Sequence, residues 1–466
     1  MNFADNSAFS RRALLQRSAL GFGSLALTDL MAESSSLTVK PVRIPAKAKR
    51  VIFLFMNGGP SHLDTFDYKP ELNRRHGQTA EFVNTRTRVA EDRVLLGSPF
   101  LFAQHGQSGA WISDLFPNIA KHADDLCFIK SVHTDAAAHG PATLFFHTGA
   151  TNLVRPSMGA WVTYGLGSEN RNLPGFVSIC PSELIGGVRN YGSAFLPGVY
   201  AGTALGKAER PATEAKFLNL PQGGISSEQR RQFELLRDLN RIQIARETET
   251  DLLESTINSF ETAFGMQQHA PEIADLARES PTTQSQYGIG EKATDNFGRQ
   301  CLLARRLSEA GVRFVQVNYT DNTTTPKWDQ HSDLKRDHIT HAGATDKPIA
   351  ALLADLKQRG LLDETLVMWG GEFGRTPYSE NKNGRDHNPH AATIWMAGGG
   401  AKPGFSYGVT DELGFKGVEK KVHVHDLHAT LLHLLGLDHE QLTFEYSGRP
   451  FRLTDVYGRV VHDIIS

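Results

Sequence analysis

Val51–Met56, VIFLFM, is an unbroken apolar run of strand length, and Asn57-Gly58-Gly59-Pro60-Ser61-His62-Leu63-Asp64 follows it directly. A strand with no polar position along its length has no face to give to water. It therefore reads as a central parallel strand buried on both sides. The paired glycines let the backbone turn tightly there and let a ligand come close. Asn57 and Asp64 offer oxygen ligands and Ser61 a hydroxyl; a plain turn closed by an Asx cap is the competing reading.

The same pattern recurs downstream. Leu366–Met368 reads as a second buried strand, and Trp369–His390 follows it as one glycine-rich connection carrying Glu372, Arg375, Asp386, His387 and His390. Carboxylates and imidazoles beyond the end of a strand are how α/β enzymes present ligand-binding groups. A second acid and imidazole pair, Asp329 and His331, lies upstream in Trp328-Asp329-Gln330-His331. A polar surface loop is the alternative for the 369–390 stretch, and this second pair weighs against it.

Between these runs, Leu126–Ser131 and Phe176–Ile179 read as strands and Met158–Leu166 as a helix, while Trp111–His122 has helical spacing through Ile112, Leu115 and Ile119. Residues 68–108 are polar and irregular and read as a surface excursion. His133–His139 follows the Leu126 strand with small residues around two histidines, a tight polar site or a pair of satisfied structural histidines. Residues 183–225 predict loop, and Ser226 with Gln229 forms a capping-box signature. A charged helix then passes Phe233, Leu236, Leu239 and Ile242, with a further helical run through Ile257, Phe260 and Phe264. The stretch 181–290 is thus expected to be a helical insertion. After it come helices over Asn296–Ala310 and Asp346–Gln358 and strands at Arg313–Val317 and Thr393–Ala397. The alternation implies an α/β fold, a mostly parallel sheet between helices. A last helix, His425–Leu435, ends before Gly436; its interleaved leucines favour a packing role for His423, His425, His428 and His433 over metal binding.

Composition bounds the function. The 466 residues carry a formal net charge of -2 without a basic block, which argues against a nucleic-acid partner. Cys127, Cys180 and Cys301 are scattered, so neither a zinc ribbon nor a disulfide framework is expected. Arg11 and Arg12 before the apolar run Ala19–Leu27, with small residues near Ala32, resemble a twin-arginine export signal over residues 1–46, leaving 47–466 as the mature domain in a periplasmic or extracellular place. That apolar run is too short to span a bilayer comfortably, and no other stretch is a candidate.

Four connections that follow strands therefore carry ligand-type side chains, in 57–64, 133–139, 329–331 and 372–390, and a doubly wound sheet brings such connections to one edge. Oxygen donors mixed with imidazoles suit Zn, Mn, Fe, Mg or Ca better than copper–thiolate chemistry. One or two such metals would fit a hydrolase. Arg375 could make a bidentate contact to phosphate or sulfate, or else a surface salt bridge. No HExxH or CxxC is present.

The segments FMNGGPSHLDTFD, ARRLSEAGVRFVQV, WDQH, GLLDETLVMWGGEFGRTP, GRDH and AGGG…YGVTDE together resemble the DUF1501 family, across essentially the whole mature chain. The resemblance implies an exported, planctomycete-type, sulfatase-like protein of the alkaline phosphatase-like superfamily. It implies metal ligation by Asp329 and His331, by Glu372, and by His387 or His390, with Asn57 where a metal-binding Asp is usual and Asp64 a turn later. It puts His139 at the nucleophile position, where sulfatases carry Cys or Ser, so a formylglycine mechanism is not expected. Two functions follow. One is a metal-dependent hydrolase of phosphate or sulfate esters, small or polymeric, attacking with metal-activated water, His139, Ser61 or Thr134. The other is a non-catalytic protein that binds an anionic ligand such as a sulfated polysaccharide.

Overall fold

The computed structural model describes residues 44–83, 89–208, 210–215 and 269–466, with a few helical positions between 231 and 266. The twin-arginine stretch, the Ser226–Gln229 signature and the helical run through Phe233, Leu236, Leu239, Ile242, Ile257 and Phe260 lie outside the described residues.

Nine strands form the main sheet: β1 (Arg50–Met56), β2 (Leu126–His133), β3 (Phe176–Ile179), β4 (Thr203–Leu205), β5 (Phe314–Tyr319), β6 (Thr365–Gly370), then β9 (Ala392–Ala397), β10 (Phe405–Tyr407) and β11 (Val422–His423). Their order is β10-β2-β9-β6-β1-β5-β3-β4, with β11 also beside β2. Only β9 runs antiparallel to its neighbours β6 and β2; the other pairings are parallel. The labels β7 (Gly374–Glu380) and β8 (Gly384–Asn388) belong to a hairpin outside this sheet.

The central position of β1, between β5 and β6, follows from its composition. Val51, Phe53 and Phe55 point into one apolar core while Ile52, Leu54 and Met56 point into the other. Fully burying side chains of this kind contributes about 1.5–3 kcal/mol each, so an edge position would forfeit several of those terms. The helices α1 (His139–Thr148), α2 (Met158–Leu166) and α5 (Val424–Leu434) cover one face through Phe146, Trp161, Leu427 and Leu431. The other face is covered by α3 (Asp295–Glu309) and α4 (Leu334–Gln358), through Cys301, Leu302, Leu352 and Leu356.

Four local expectations are corrected. Trp111–His122 is not a helix. Ala110–Ser113 is a strand paired with Phe102–His105, and a 3-10 turn, Ile119–Asp125, follows. Ile112, Leu115 and Ile119 do share one core, but the turn is held from far away: Asp346 accepts hydrogen bonds from the backbone N–H groups of Asn118 and Ile119. Within 68–108, a hairpin of Thr79–Val83 with Ala90–Val94 replaces part of the irregular excursion. Helix α4 begins twelve residues before Asp346, and Pro348 lies inside it; a proline suits a first turn, which made a start at Asp346 read well. Thr203–Leu205, expected as loop, adds a parallel edge strand beside β3.

Candidate metal centre

Strands β1, β2, β5 and β6 run in the same direction, so the connections leaving their C-terminal ends meet at one edge of the sheet. His139 is the first residue of α1, six residues beyond the end of β2. Asp329 and His331 lie in the connection between β5 and α4. His387 comes from β8, because the 369–390 connection folds back as the hairpin β7–β8 with Arg375 opposite His387. Two glycines permit this convergence. A Cβ on Gly58, whose φ is +114°, would fall 2.6 Å from the backbone nitrogen of Trp328. One on Gly384 would fall 2.0 Å from the carbonyl of His331. Such contacts do not occur between real atoms, so only glycine lets the β1 loop and the hairpin lie against the Asp329–His331 connection.

Asp329 Oδ1 is the meeting point. It lies 3.0 Å from His139 Nε2, 2.9 Å from His331 Nε2, 3.1 Å from His387 Nε2 and 2.7 Å from Arg375 Nη2. The two imidazole nitrogens His331 Nε2 and His387 Nε2 are 3.0 Å apart. His139 Nε2 is buried and makes no aligned hydrogen bond. Each ring is held by its other nitrogen: His139 Nδ1 is 2.6 Å from Glu372 Oε1, His331 Nδ1 meets Glu380 Oε2, and His387 Nδ1 is 2.7 Å from the Ala137 carbonyl. Carboxylates and carbonyls only accept, so all three Nδ1 atoms carry hydrogen. The neutral imidazoles then turn three Nε2 lone pairs toward one another and toward a carboxylate oxygen. That arrangement is repulsive unless protons or a cation lie among them. Zinc holds nitrogen ligands at about 2.0–2.1 Å, so donors of one tetrahedral shell are about 3.4 Å apart; outward shifts of a few tenths of an ångström would admit the ion here. The four donor atoms lie within 4.8 Å of one another and fit a divalent cation.

The electrostatics agree with the geometry. Burial alone would raise the Asp329 carboxyl, but the imidazole hydrogen bonds and the Arg375 charge hold it far below the usual carboxylate range. Burial also works against the charged form of His139, yet the two carboxylates flanking it raise its pKa. His331 is raised mainly by Asp329. His387 has a carbonyl in place of a second carboxylate, and burial pushes it down to about 4.

Several expected residues stand elsewhere. Glu372 is behind His139, not among the converging donors, and accepts from the Gly58 N–H through both oxygens. Asp64 is fully buried in a two-pronged pair with Arg385 at 2.7 and 3.2 Å, and Ser61 donates its hydroxyl to the same carboxylate, so neither is available to a metal or substrate. Asn57 donates to Thr320. Arg375 is not a substrate clamp: its Nε donates to the Gly59 carbonyl, Nη1 to that of Arg385, and Nη2 to Gly58, Trp328 and Asp329. His390 packs against Phe415, and its backbone N–H is held by Asn388. His428 donates to the Phe146 carbonyl, and the His423 ring caps α5, in keeping with a packing role.

Sequence reasoning missed Glu380, which lies eight residues beyond Glu372 and whose strand phase carried no signal. It also read His139 as a nucleophile where the structure sets it among the donors. A groove of about 710 Å³ is lined by residues that include Asn73, Lys335, Ile339 and Asn383. It shares Asp333 and Asn383 with the contact that pins the hairpin tip to the start of α4.

With this geometry described, comparison with known proteins gives the affiliation. The profile of the family described as "Protein of unknown function (DUF1501)" matches residues 48–465. The chain belongs to the DUF1501 family. No curated protein matches its sequence. Among solved structures, a sulfatase from Pseudoalteromonas sp. is similar at 11% identity and a TM-score of 0.34, covering 89% of this chain and 70% of that one. A mutant of the alkaline phosphatase TAB5 with Mg bound in its M3 site gives 12% identity and a TM-score of 0.35, covering 84% and 99%. Ps i-CgsB in complex with k-i-k-neocarrahexaose gives 12% and 0.36, covering 84% and 72%. Likenesses at such TM-scores say nothing of the chemistry of the DUF1501 chain, which rests on its own residues.

Proposed function

We propose that this DUF1501 protein is a metal-dependent hydrolase of phosphate or sulfate esters that works in an exported compartment. One observation carries the reading: three imidazole Nε2 atoms and a carboxylate oxygen converge, and each imidazole is oriented by an acceptor on its far side. His139, Asp329, His331 and His387 would hold the ion. When bound, a divalent ion supplies Lewis acidity and makes water a nucleophile near neutral pH. The chain's own residues support attack by water. His139 is engaged by Asp329 and Glu372, and the Ser61 hydroxyl is spent on Asp64. Phe373, whose ring lies 4.4 Å from that of His387, walls one side with apolar surface. The ester class follows from the superfamily that the sequence motifs resemble, and the twin-arginine stretch supports export.

One observation favours the second reading, a non-catalytic protein that binds an anionic ligand such as a sulfated polysaccharide. Neither Ser61 nor Arg375 is left free to attack or clamp a substrate. The test is elemental analysis of purified protein and of His331→Ala, His387→Ala and, as a control, His433→Ala, whose ring meets that of His462 edge-on, away from the centre. The expected result is one divalent ion, lost in the first two variants and kept in the third. Phosphate and sulfate monoester assays of the loaded protein then separate the two readings. Wild-type protein that cannot be loaded with metal overturns the first.

A further inference from the structure

The three converging imidazoles are not equally supported. His387 is oriented by the backbone carbonyl of Ala137, which no substitution of a side chain removes. His139 and His331 are oriented by side chains from the hairpin segment, Glu372 and Glu380. Glu372 is completely buried and rigidly placed, since the Gly58 N–H reaches its two oxygens at 3.0 and 3.1 Å. Glu380 sits at the end of β7, opposite Gly384, with its side chain 31% exposed. A free imidazole has two interchangeable nitrogens, and only an acceptor placed behind the ring decides which carries the proton. Both carboxylates occupy that place, one per ring, and neither is among the four converging donors.

We infer that Glu372 and Glu380 are a pair of positioning residues, which fix the Nδ1–H tautomers of His139 and His331 so that both Nε2 atoms face the cation. This rests on the metal-centre reading of the preceding section. The charges fit the same role. The Asp329 carboxylate is already paired with Arg375, so the donors alone bring no net negative charge to a dication. The two glutamates supply the missing two charges through the rings. The division of labour also ties the hairpin to the centre: Glu380 and His387 both ride on β7–β8, whose tip is fastened to α4 by Asn383 and Asp333.

The test uses the full exported chain, loaded with Zn²⁺ or Co²⁺, in four forms: wild type, Glu380→Ala, Glu380→Gln and Glu372→Gln. Metal Kd is measured by chelator competition, and tautomers are read by 15N NMR of labelled histidines. Loss of an orienting partner of this kind typically weakens a metal site by 10–100-fold. Glu380→Ala is expected to fall in that range and to let His331 populate both tautomers, with the His387 signals unchanged. Glu380→Gln keeps an accepting oxygen but not the charge, and is expected to retain the tautomer and to bind metal more tightly than Glu380→Ala. Glu372→Gln sets an amide N–H against that of Gly58, and is expected to weaken binding and to perturb His139 alone.

Thermal unfolding of the metal-free variants separates a general loss of fold. A lowered Tm with unmoved tautomers overturns the inference, and so does a wild-type Kd in Glu380→Ala. Equal losses in Glu380→Gln and Glu380→Ala assign the effect to charge and overturn the positioning role. A wild-type chain that takes up neither ion overturns the metal reading itself, and this inference with it.

Discussion

Binding of a divalent cation should release close to two protons, and its affinity should climb steeply with pH. The groups that touch the converging donors set the number. Asp329, Glu372 and Glu380 bring three negative charges and Arg375 one positive, a net of two negative with neutral imidazoles. Two protons would balance it in the metal-free protein, and the rings expected to keep them are His139 and His331, whose pKa values are raised. His387, pushed down to about 4, holds none near neutrality. A dication restores the same balance only by displacing both. Below the raised values, each unit of pH should therefore change Kd by about a hundredfold, equivalent to about 2.7 kcal/mol at 1.36 kcal/mol per proton and unit. Above them the dependence should flatten. Isothermal titration of Zn²⁺ in two buffers of different ionisation enthalpy counts the protons directly. Release of fewer than about half a proton, or a Kd independent of pH from 5 to 7, would refute the charge argument. The sign for stability follows as well. A raised histidine pKa stabilises the metal-free fold below the unfolded value of 6.5, and that contribution is lost as pH rises through the folded values. Metal-free protein should then lose Tm on mild alkalinisation, and loaded protein should not.

Three further outcomes are expected. Arg385→Ala leaves the buried Asp64 carboxylate without its partner and should cost about 3–5 kcal/mol in urea unfolding, whereas a loss under 1 kcal/mol would mean that water or another residue takes over. Gly58→Ala should lower both Tm and metal affinity, because the added Cβ meets the backbone of Trp328 and Asp329; a variant that binds metal normally would show that the β1 loop can move aside. Replacing Arg11 and Arg12 with Lys should retain the protein in the cytoplasm, as judged by cell fractionation, and unchanged delivery would count against the twin-arginine route.

Burial is a local property of strands, and the order of residues records it. VIFLFM could be recognised as a central strand because all six side chains are apolar, and the structure buries them on both faces. Phe176–Ile179 and Met158–Leu166 matched to the residue for the same reason. The sequence also showed which connections bear acids and imidazoles, because these follow the strands directly. Choosing among those residues was beyond it. Asp64 and Asp329 are equally good ligands on paper; one is neutralised by Arg385, 321 residues away, and the other collects His331 from its own connection and His139 and His387 from two others. Arg375 could read as an anion clamp or a surface salt bridge until the fold wrapped five acceptors around it. The role of His139 depends on β2 lying one strand away from β6, with β9 between them, so that α1 starts next to Glu372 and Asp329. Glu380 faces His331 only through the register of a hairpin that had read as a loop. The period of apolar residues thus determined the layers of this protein. The pairings that satisfy each buried charge depend on strand order and loop approach, so the tertiary structure alone decided the centre.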